Sequence, residues 1–203
     1  MTIDEGYTKF ISAWTRCDLP PYPEIAELCR WRRPLHDAGL IGLYADSGIG
    51  FGNISMRAGS GPEFLISGTQ TGHLRDVGPA HFALVTNVDP ERNFVSCRGT
   101  IQASSESMTH AVLYRTDRSI AAVVHVHCRR LWHLLRGQVP TTADSVAYGT
   151  PEMATEFARL WQESDLPTSG IAVMGGHEEG LVSIGATMTE AATRILELQQ
   201  RME

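Results

Sequence analysis

A single α/β domain of three layers is the fold that this 203-residue sequence predicts, on three observations. Stretches with helical spacing and short β-rich stretches are mixed from one end of the chain to the other. No Pro/Gly/Ser-rich linker, internal repeat or low-complexity segment divides them. The length suits one sizeable core.

The elements follow in order from local spacing. Residues 7–17 read as a first helix and 23–38 as a second, with Pro23 near its start and Gly39 just past its end. Ile25, Leu28, Cys29 and Leu35 fall at roughly helical spacing along it, and Pro34 inside the span predicts a kink or an earlier stop. Six glycines between 42 and 61 predict a loop, or strands interrupted by bulges. Glu63–Ser67, Phe82–Val88 and Asn93–Cys97 read as strands, the last two joined by the turn Asp89-Pro90-Glu91-Arg92. Ser105–Thr116 is helical, Ile120–His127 is a Val/Ala-rich strand, and Cys128–Arg136 turns helical before Gly137. Pro151–Glu163 is an amphipathic helix opened by proline. Ile171–Met174 and Leu181–Ile184 are short strands around a Gly-rich bend, and the capping box Thr187-Met188-Thr189-Glu190 opens a last helix, 187–203.

Charge and composition narrow the function. With 17 basic against 23 acidic residues the chain carries a formal charge of −6, which argues against a general binder of nucleic acid or anionic membranes. No apolar run approaches the roughly 18–20 residues of a membrane span. The start, Met1-Thr2-Ile3-Asp4-Glu5-Gly6, lacks a signal-peptide pattern, so a cytoplasmic location is expected. Cys17, Cys29, Cys97 and Cys128 are widely spaced and read as free thiols. Lys9 is the only lysine, in a stretch expected to be exposed. Schiff-base chemistry, which needs a buried amine, is therefore not expected, and any carbanion would have to be stabilised by something else, a metal above all.

The strand Val123-Val124-His125-Val126-His127 puts His125 and His127 on one face and Val124 and Val126 on the other. Two imidazoles so placed can reach a single metal ion, or can be a hydrogen-bonded pair near a strand end. A third candidate ligand is His177, in Gly175-Gly176-His177-Glu178-Glu179-Gly180, on a bend from which a side chain can be aimed into a cleft; alone, it reads as a surface-loop histidine. His36, His73, His81 and His133 have no matching partner and read as structural or exposed. Glu106 stands at a helix start, where a carboxylate compensates the helix dipole, and His110 follows one turn later on the same face. Beside a metal, such a carboxylate is a ligand, a general base, or both in turn.

Taken in order, Gly52-Asn53-Ile54-Ser55 with Arg57, Thr69-Gln70-Thr71-Gly72, Ser104-Ser105-Glu106 with His110, the His125/His127 pair and His177 resemble the class II aldolase/adducin family of sugar-phosphate aldolases and epimerases. The resemblance runs from about residue 25 to the C-terminus. It implies one α/β/α domain over residues 1–203 with a central, mainly antiparallel sheet, residues 1–24 being an N-terminal extension. It implies that His125, His127 and His177 bind a divalent metal, usually zinc, that Glu106 is the catalytic acid/base, and that Asn53, Thr71, Gly72, Ser104 and Ser105 hold the substrate phosphate. Hydroxyls and backbone N–H groups can cradle an oxyanion without lysine, although singly these motifs read as turns.

The chain also departs from the family's pattern. Ser67-Gly68-Thr69 competes with Thr71-Gly72 as the phosphate loop, Ala103 stands where the family usually has proline, and Glu178 stands where glycine usually follows the third histidine. Glu178 and Glu179 would add negative charge near the metal. The family's aldolases take a tyrosine from a neighbouring subunit, for which Tyr148 is the nearest candidate.

The activity implied is reversible aldol cleavage of a ketose, in the first place a ketose phosphate, by a metal-dependent lyase working through an enediolate. The alternatives are a sugar-phosphate 4-epimerase, whose relatives carry aspartate at the position of Glu106, and a non-enzymatic adducin-like interaction module, whose branch lacks the full histidine set. A homotetramer is implied, with sites between subunits and Trp132 and Leu135, where exposed, as contact residues. A small-molecule sugar or sugar phosphate is the expected partner, with no nucleic acid and no membrane.

Overall fold

The computed structural model describes residues 8–201. Its frame is an eight-stranded sheet built from β1 (Ile11–Arg16), β4 (Asn53–Arg57), β5 (Phe64–Ser67), β6 (Phe82–Asp89), β7 (Phe94–Gly99), β8 (Ala122–His127), β9 (Ile171–Val173) and β10 (Gly180–Gly185). The spatial order is β1-β7-β6-β5-β4-β8-β10-β9, and every pairing is antiparallel except β1 with β7. The short β2 (Gly42–Tyr44) and β3 (Ile49–Phe51) form a separate ribbon. The glycine-rich stretch thus holds three interrupted strands.

Helices cover both faces of the sheet. Helices α1 (Pro23–Asp37) and α6 (Met188–Gln200) pack on one side through Ile25, Leu28, Leu35, Met188 and Ile195. Helices α2 (Ser107–Thr116) and α4 (Pro151–Glu163) pack on the other through Met108, Leu113, Met153 and Phe157. Two short helices, α3 (Arg129–Leu135) and α5 (Leu166–Ser169), complete the set. The predicted three layers and the mainly antiparallel sheet are both present.

Strand β8 lies between β4 and β10, and all six of its residues are buried. Ala122, Val124 and Val126 join the core under α1 and α6, while Val123 joins the core under α2. His125 and His127 therefore face the α2/α4 side. Burying Val124 and Val126 contributes about 1.5–3 kcal/mol each, which anchors the strand and leaves its opposite face to polar groups.

Three expectations are corrected. The segment 7–17 is a strand rather than a helix: Ile11–Arg16 runs parallel to β7, and the Trp14 indole donates to Gly99 O at 3.0 Å. Its ladder partners lie some eighty residues away, so local spacing carries no sign of them; residue 7 itself falls outside the described residues. Pro34 neither stops nor shortens α1, which runs on to Asp37. Trp132 is buried with its indole on Met174 O at 2.9 Å, and Leu135 is partly buried, so the exposed apolar residue of α3 is Leu134. Residues 202–203 of the predicted last helix lie outside the described residues.

Candidate active site

The three imidazoles meet above the sheet. His125 and His127 stand on β8, and His177 comes from the bend between β9 and β10, closed by His177 N–H to Met174 O and Gly180 N–H to His177 O. Ring centroids are 5.0 Å apart for His125/His127, 5.2 Å for His125/His177 and 4.6 Å for His127/His177. One nitrogen from each ring lies within 4.8 Å of the others, and all three residues are buried. Gly175 and Gly176 allow the bend: a Cβ on either would come within 2.2 Å of the carbonyls of Thr142 and Val146, respectively.

Burial holds the cluster neutral. Desolvation pushes all three pKa values down, that of His177 to about 3 with help from the nearby charge of Lys9; His127 is lowered further by His177 and His125, and His125 by His177. Neutral imidazoles offer lone pairs, which is the form a metal requires.

Neighbours orient the rings. The Tyr44 hydroxyl donates to Glu179 Oε2 at 2.9 Å, so toward His127 Nδ1, at 2.7 Å, it acts as acceptor. That assigns the proton of His127 to Nδ1 and leaves Nε2 as its ligand atom. Asn53, directly opposite His125 across the β4/β8 ladder, brings its side-chain amide to 3.2 Å from His125 Nδ1. The atom placed there is Nδ2, which donates to the Nδ1 lone pair; turned by half a turn the amide would present Oδ1, which has no hydrogen bond, to accept Nδ1–H and set the same tautomer as in His127. Tyr148 stacks on His177 at 4.4 Å and Phe51 on His127 at 5.2 Å.

This donor set fits a divalent ion. Three oriented neutral imidazoles match the first shell of a zinc-type site with room for a substrate atom, and the buried Nε2 of His125 makes no hydrogen bond of its own. An orphaned buried polar atom costs about 1–3 kcal/mol unless a ligand takes it.

Glu106 occupies the N-cap of α2, is buried, and receives its position from a turn in which its N–H donates to Ser104 Oγ at 3.3 Å and the Ser107 hydroxyl donates to Ser104 O at 2.6 Å. Gly149, at φ +67°, passes over it; a Cβ there would sit 3.0 Å from Ser105 O and 3.9 Å from Glu106 Oε1. The turn is zipped to the facing loop by Ser104 N–H to Ser67 O and Thr69 N–H to Gln102 O.

All nine residues singled out in the sequence line one cleft: Glu106, the three histidines, Asn53, Thr71, Gly72, Ser104 and Ser105. Gly68 and Thr69 line it too, whereas Ser67 is tied to Ile54 within the sheet, so the two competing loop segments form one wall. His110 is buried apart from the cluster's ligand atoms, hydrogen-bonded to Ser55 at 2.6 Å, and Ser55 in turn meets the Tyr114 hydroxyl at 2.7 Å.

Other residues stand differently from expectation. Tyr148 belongs to its own chain's cleft. Glu178 turns outward to Arg129 at 2.8 Å, so its charge is paired away from the histidines, while Glu179, at φ +71°, holds Tyr44. Lys9 is half-buried with its ammonium 3.8 Å from the Tyr148 ring centroid, brought there by β1. Tyr44 and Phe51 carry no motif in the sequence, because each acts through a histidine that only the fold brings near.

Fold and site define a class: an α/β/α protein whose cleft sets a three-imidazole cluster able to hold a divalent metal beside a buried carboxylate. The chain belongs to the family described as Class II Aldolase and Adducin N-terminal domain, whose model matches residues 26–203. Among solved structures it is similar to YgbL of Escherichia coli, a putative aldolase/epimerase/decarboxylase, at 20% identity and TM-score 0.63 over 87% of this chain and 85% of that one. It is also similar to an L-fuculose 1-phosphate aldolase (17%, TM-score 0.64, 90% and 85%) and to a sugar-phosphate aldolase from Thermotoga maritima (18%, TM-score 0.64, 87% and 90%). At these identities the likeness establishes the fold. No curated protein matches the sequence.

Proposed function

We propose that this chain is a metal-dependent lyase that reversibly cleaves a ketose, in the first place a ketose phosphate, between two carbons. The observation that carries the reading is the sharing of one buried cleft by Glu106 and the His125/His127/His177 cluster. The histidines would hold the ion, zinc by donor type, and Asn53, Thr71, Gly72, Ser104 and Ser105 would hold the phosphate. A divalent ion bound there supplies Lewis-acid stabilisation of the enediolate charge that develops as the C–C bond breaks.

Glu106 moves the proton. In the cleavage direction its carboxylate takes the proton of the hydroxyl whose carbon becomes the aldehyde and returns it to the carbon that loses its bond, and in condensation the same proton runs back from that carbon to the new hydroxyl. Tyr44 keeps the tautomer of His127 fixed, Asn53 holds the His125 ring in place, and the aromatic faces of Phe51 and Tyr148 exclude water from two of the imidazoles. The reading takes the chain as one catalytic domain, residues 1–24 being an extension that adds β1.

Cleavage of a panel of ketose 1-phosphates, followed by coupled detection of the triose product, tests this. Activity is expected with at least one sugar, lost after dialysis against a chelator and restored by zinc, manganese or cobalt. Cleavage that survives with no metal bound would overturn the reading. A homotetramer forms part of the same proposal, with Ile11, Leu43 and Leu134 as exposed apolar contact candidates. Sedimentation at micromolar concentration is expected to give four times the 22.3 kDa chain mass, and the monomer mass would count against assembly.

A further inference from the structure

Arg32 is 1% exposed, one of the largest side chains to be fully buried in the molecule. It reaches from α1 to the back of the loop that walls the cleft, where Nη2 donates to Thr71 O at 3.1 Å and to Gly72 O at 2.9 Å. Its Nη1 is buried without a hydrogen bond. Desolvation lowers its pKa to about 10, so at neutral pH it stands as a positive charge inside the protein, and no ion pair joins it to a carboxylate among the described residues.

Two carbonyls can be satisfied by a neutral amide. A buried guanidinium with no counter-charge is a costly way to do it, and such a charge is normally paired. On the other side of the loop lies a cleft in which Glu106 is lined up with hydroxyls, glycines and neutral imidazoles; among the described residues no arginine or lysine lines it, the Lys9 ammonium being held over the ring of Tyr148. The peptide geometry links the two sides. In a trans peptide, C=O and N–H point in opposite directions, so with Thr71 O held by Arg32 and by Leu74 N–H at 3.0 Å, Gly72 N–H points away from Arg32. Gly72 is packed closely against the β2/β3 ribbon: a Cβ on it would fall 2.1 Å from Gly42 O and 2.9 Å from Gly50 Cα.

We infer that Arg32 is a positioning residue for an oxyanion of the substrate: it aims the Thr71–Gly72 peptide into the cleft, and its charge is the counter-charge that the oxyanion meets through that peptide. This rests on the reading of the 68–72 loop as the anion wall and explains how that wall attracts an anion with no basic side chain on its surface. Opposite unit charges roughly 8 Å apart, at the effective dielectric of about 20 that suits protein sites, correspond to about ten- to thirtyfold in affinity.

Titration of the metal-loaded protein with inorganic phosphate, followed by calorimetry at low ionic strength, tests the inference. Wild type, Arg32→Gln and Arg32→Lys are compared at equal bound-metal content, with thermal midpoints recorded to verify folding. Phosphate affinity is expected to fall about tenfold or more in Arg32→Gln, which keeps donors for the carbonyls but not the charge, and to stay within about threefold in Arg32→Lys. Should the glutamine variant fail to fold, Arg32→Met, neutral and of similar length, takes its place with the same expected loss. Equal phosphate affinity in wild type and a neutral variant overturns the inference while leaving the metal-site reading intact, as does an equal loss in the neutral and lysine variants. Absence of phosphate binding by metal-loaded wild type overturns both the inference and the anion-wall part of the proposed function.

Discussion

Glu106→Gln is expected to lower turnover by about 10²–10⁴-fold, the range that general acid–base catalysis contributes, with metal content unchanged. The substitution is chosen for what it keeps. Glutamine matches glutamate in shape and still accepts and donates hydrogen bonds, so the N-cap turn built by Ser104 and Ser107 has no reason to open. It cannot take up a proton at neutral pH, and proton movement is the one capacity removed. The three histidines remain, each with its own orienting neighbour, so an ion keeps its ligands. The measurement is kcat on the cleaved sugar together with metal by mass spectrometry of the dialysed protein. Loss of metal in the variant would make Glu106 chiefly a ligand and send the search for the base elsewhere. Retention of both metal and full turnover would remove the aldol mechanism proposed for this cleft.

That such an experiment can be framed on Glu106 before any ligand is known reflects how the site is written along the chain. The alternation of β8 puts two histidines on one face because a strand has period two, and this is a local rule. The proline that opens α4 and the capping box that opens α6, where Thr187 Oγ1 accepts from Glu190 N–H at 3.1 Å, are equally local. Each of these was legible from a handful of adjacent residues.

What escaped the sequence depends on partners far apart in the chain. The first strand, 11–16, has a polar-looking exposure pattern because it lies at the sheet edge, and its ladder is made with residues 94–99. Arg32 looks like one more surface arginine in Arg30-Trp31-Arg32-Arg33, and only packing of α1 against the loop carries it inside. The Tyr44 hydroxyl joins His127 to Glu179 across separations of 83 and 135 residues, which no spacing rule reaches. Glu178 and Glu179 looked alike as adjacent charges. The left-handed backbone at Glu179 separates them, sending one to Arg129 on the surface and the other to Tyr44.

Those long-range contacts set the terms of the second large effect, on metal affinity. His127→Ala is expected to abolish stoichiometric zinc, because two imidazoles remain where three converge and the removed ring is in contact with both others. Tyr44→Phe removes only the hydroxyl that accepts His127 Nδ1–H and should weaken binding by the roughly 10–100-fold typical of an outer partner, retaining a full equivalent of metal at saturating concentration. The two variants therefore separate ligation from orientation. Competition with a chelator of known affinity measures each, and thermal denaturation gives an independent reading. A ligand at a hundred times its dissociation constant stabilises the folded state by about 2.7 kcal/mol, so zinc should raise the midpoint of wild type, raise that of Tyr44→Phe only at higher concentration, and leave His127→Ala unmoved. Acid should act in the same direction. Because burial holds the folded-state pKa of His177 near 3, the unfolded chain binds its proton first as pH falls below about 6.5, and folded stability declines from there down to about pH 3, where protons also begin to compete with zinc for the folded site. A full equivalent of tightly held zinc in His127→Ala would show that the ion, if any, sits elsewhere, and the metal-dependent reading of the cleft would fall with it.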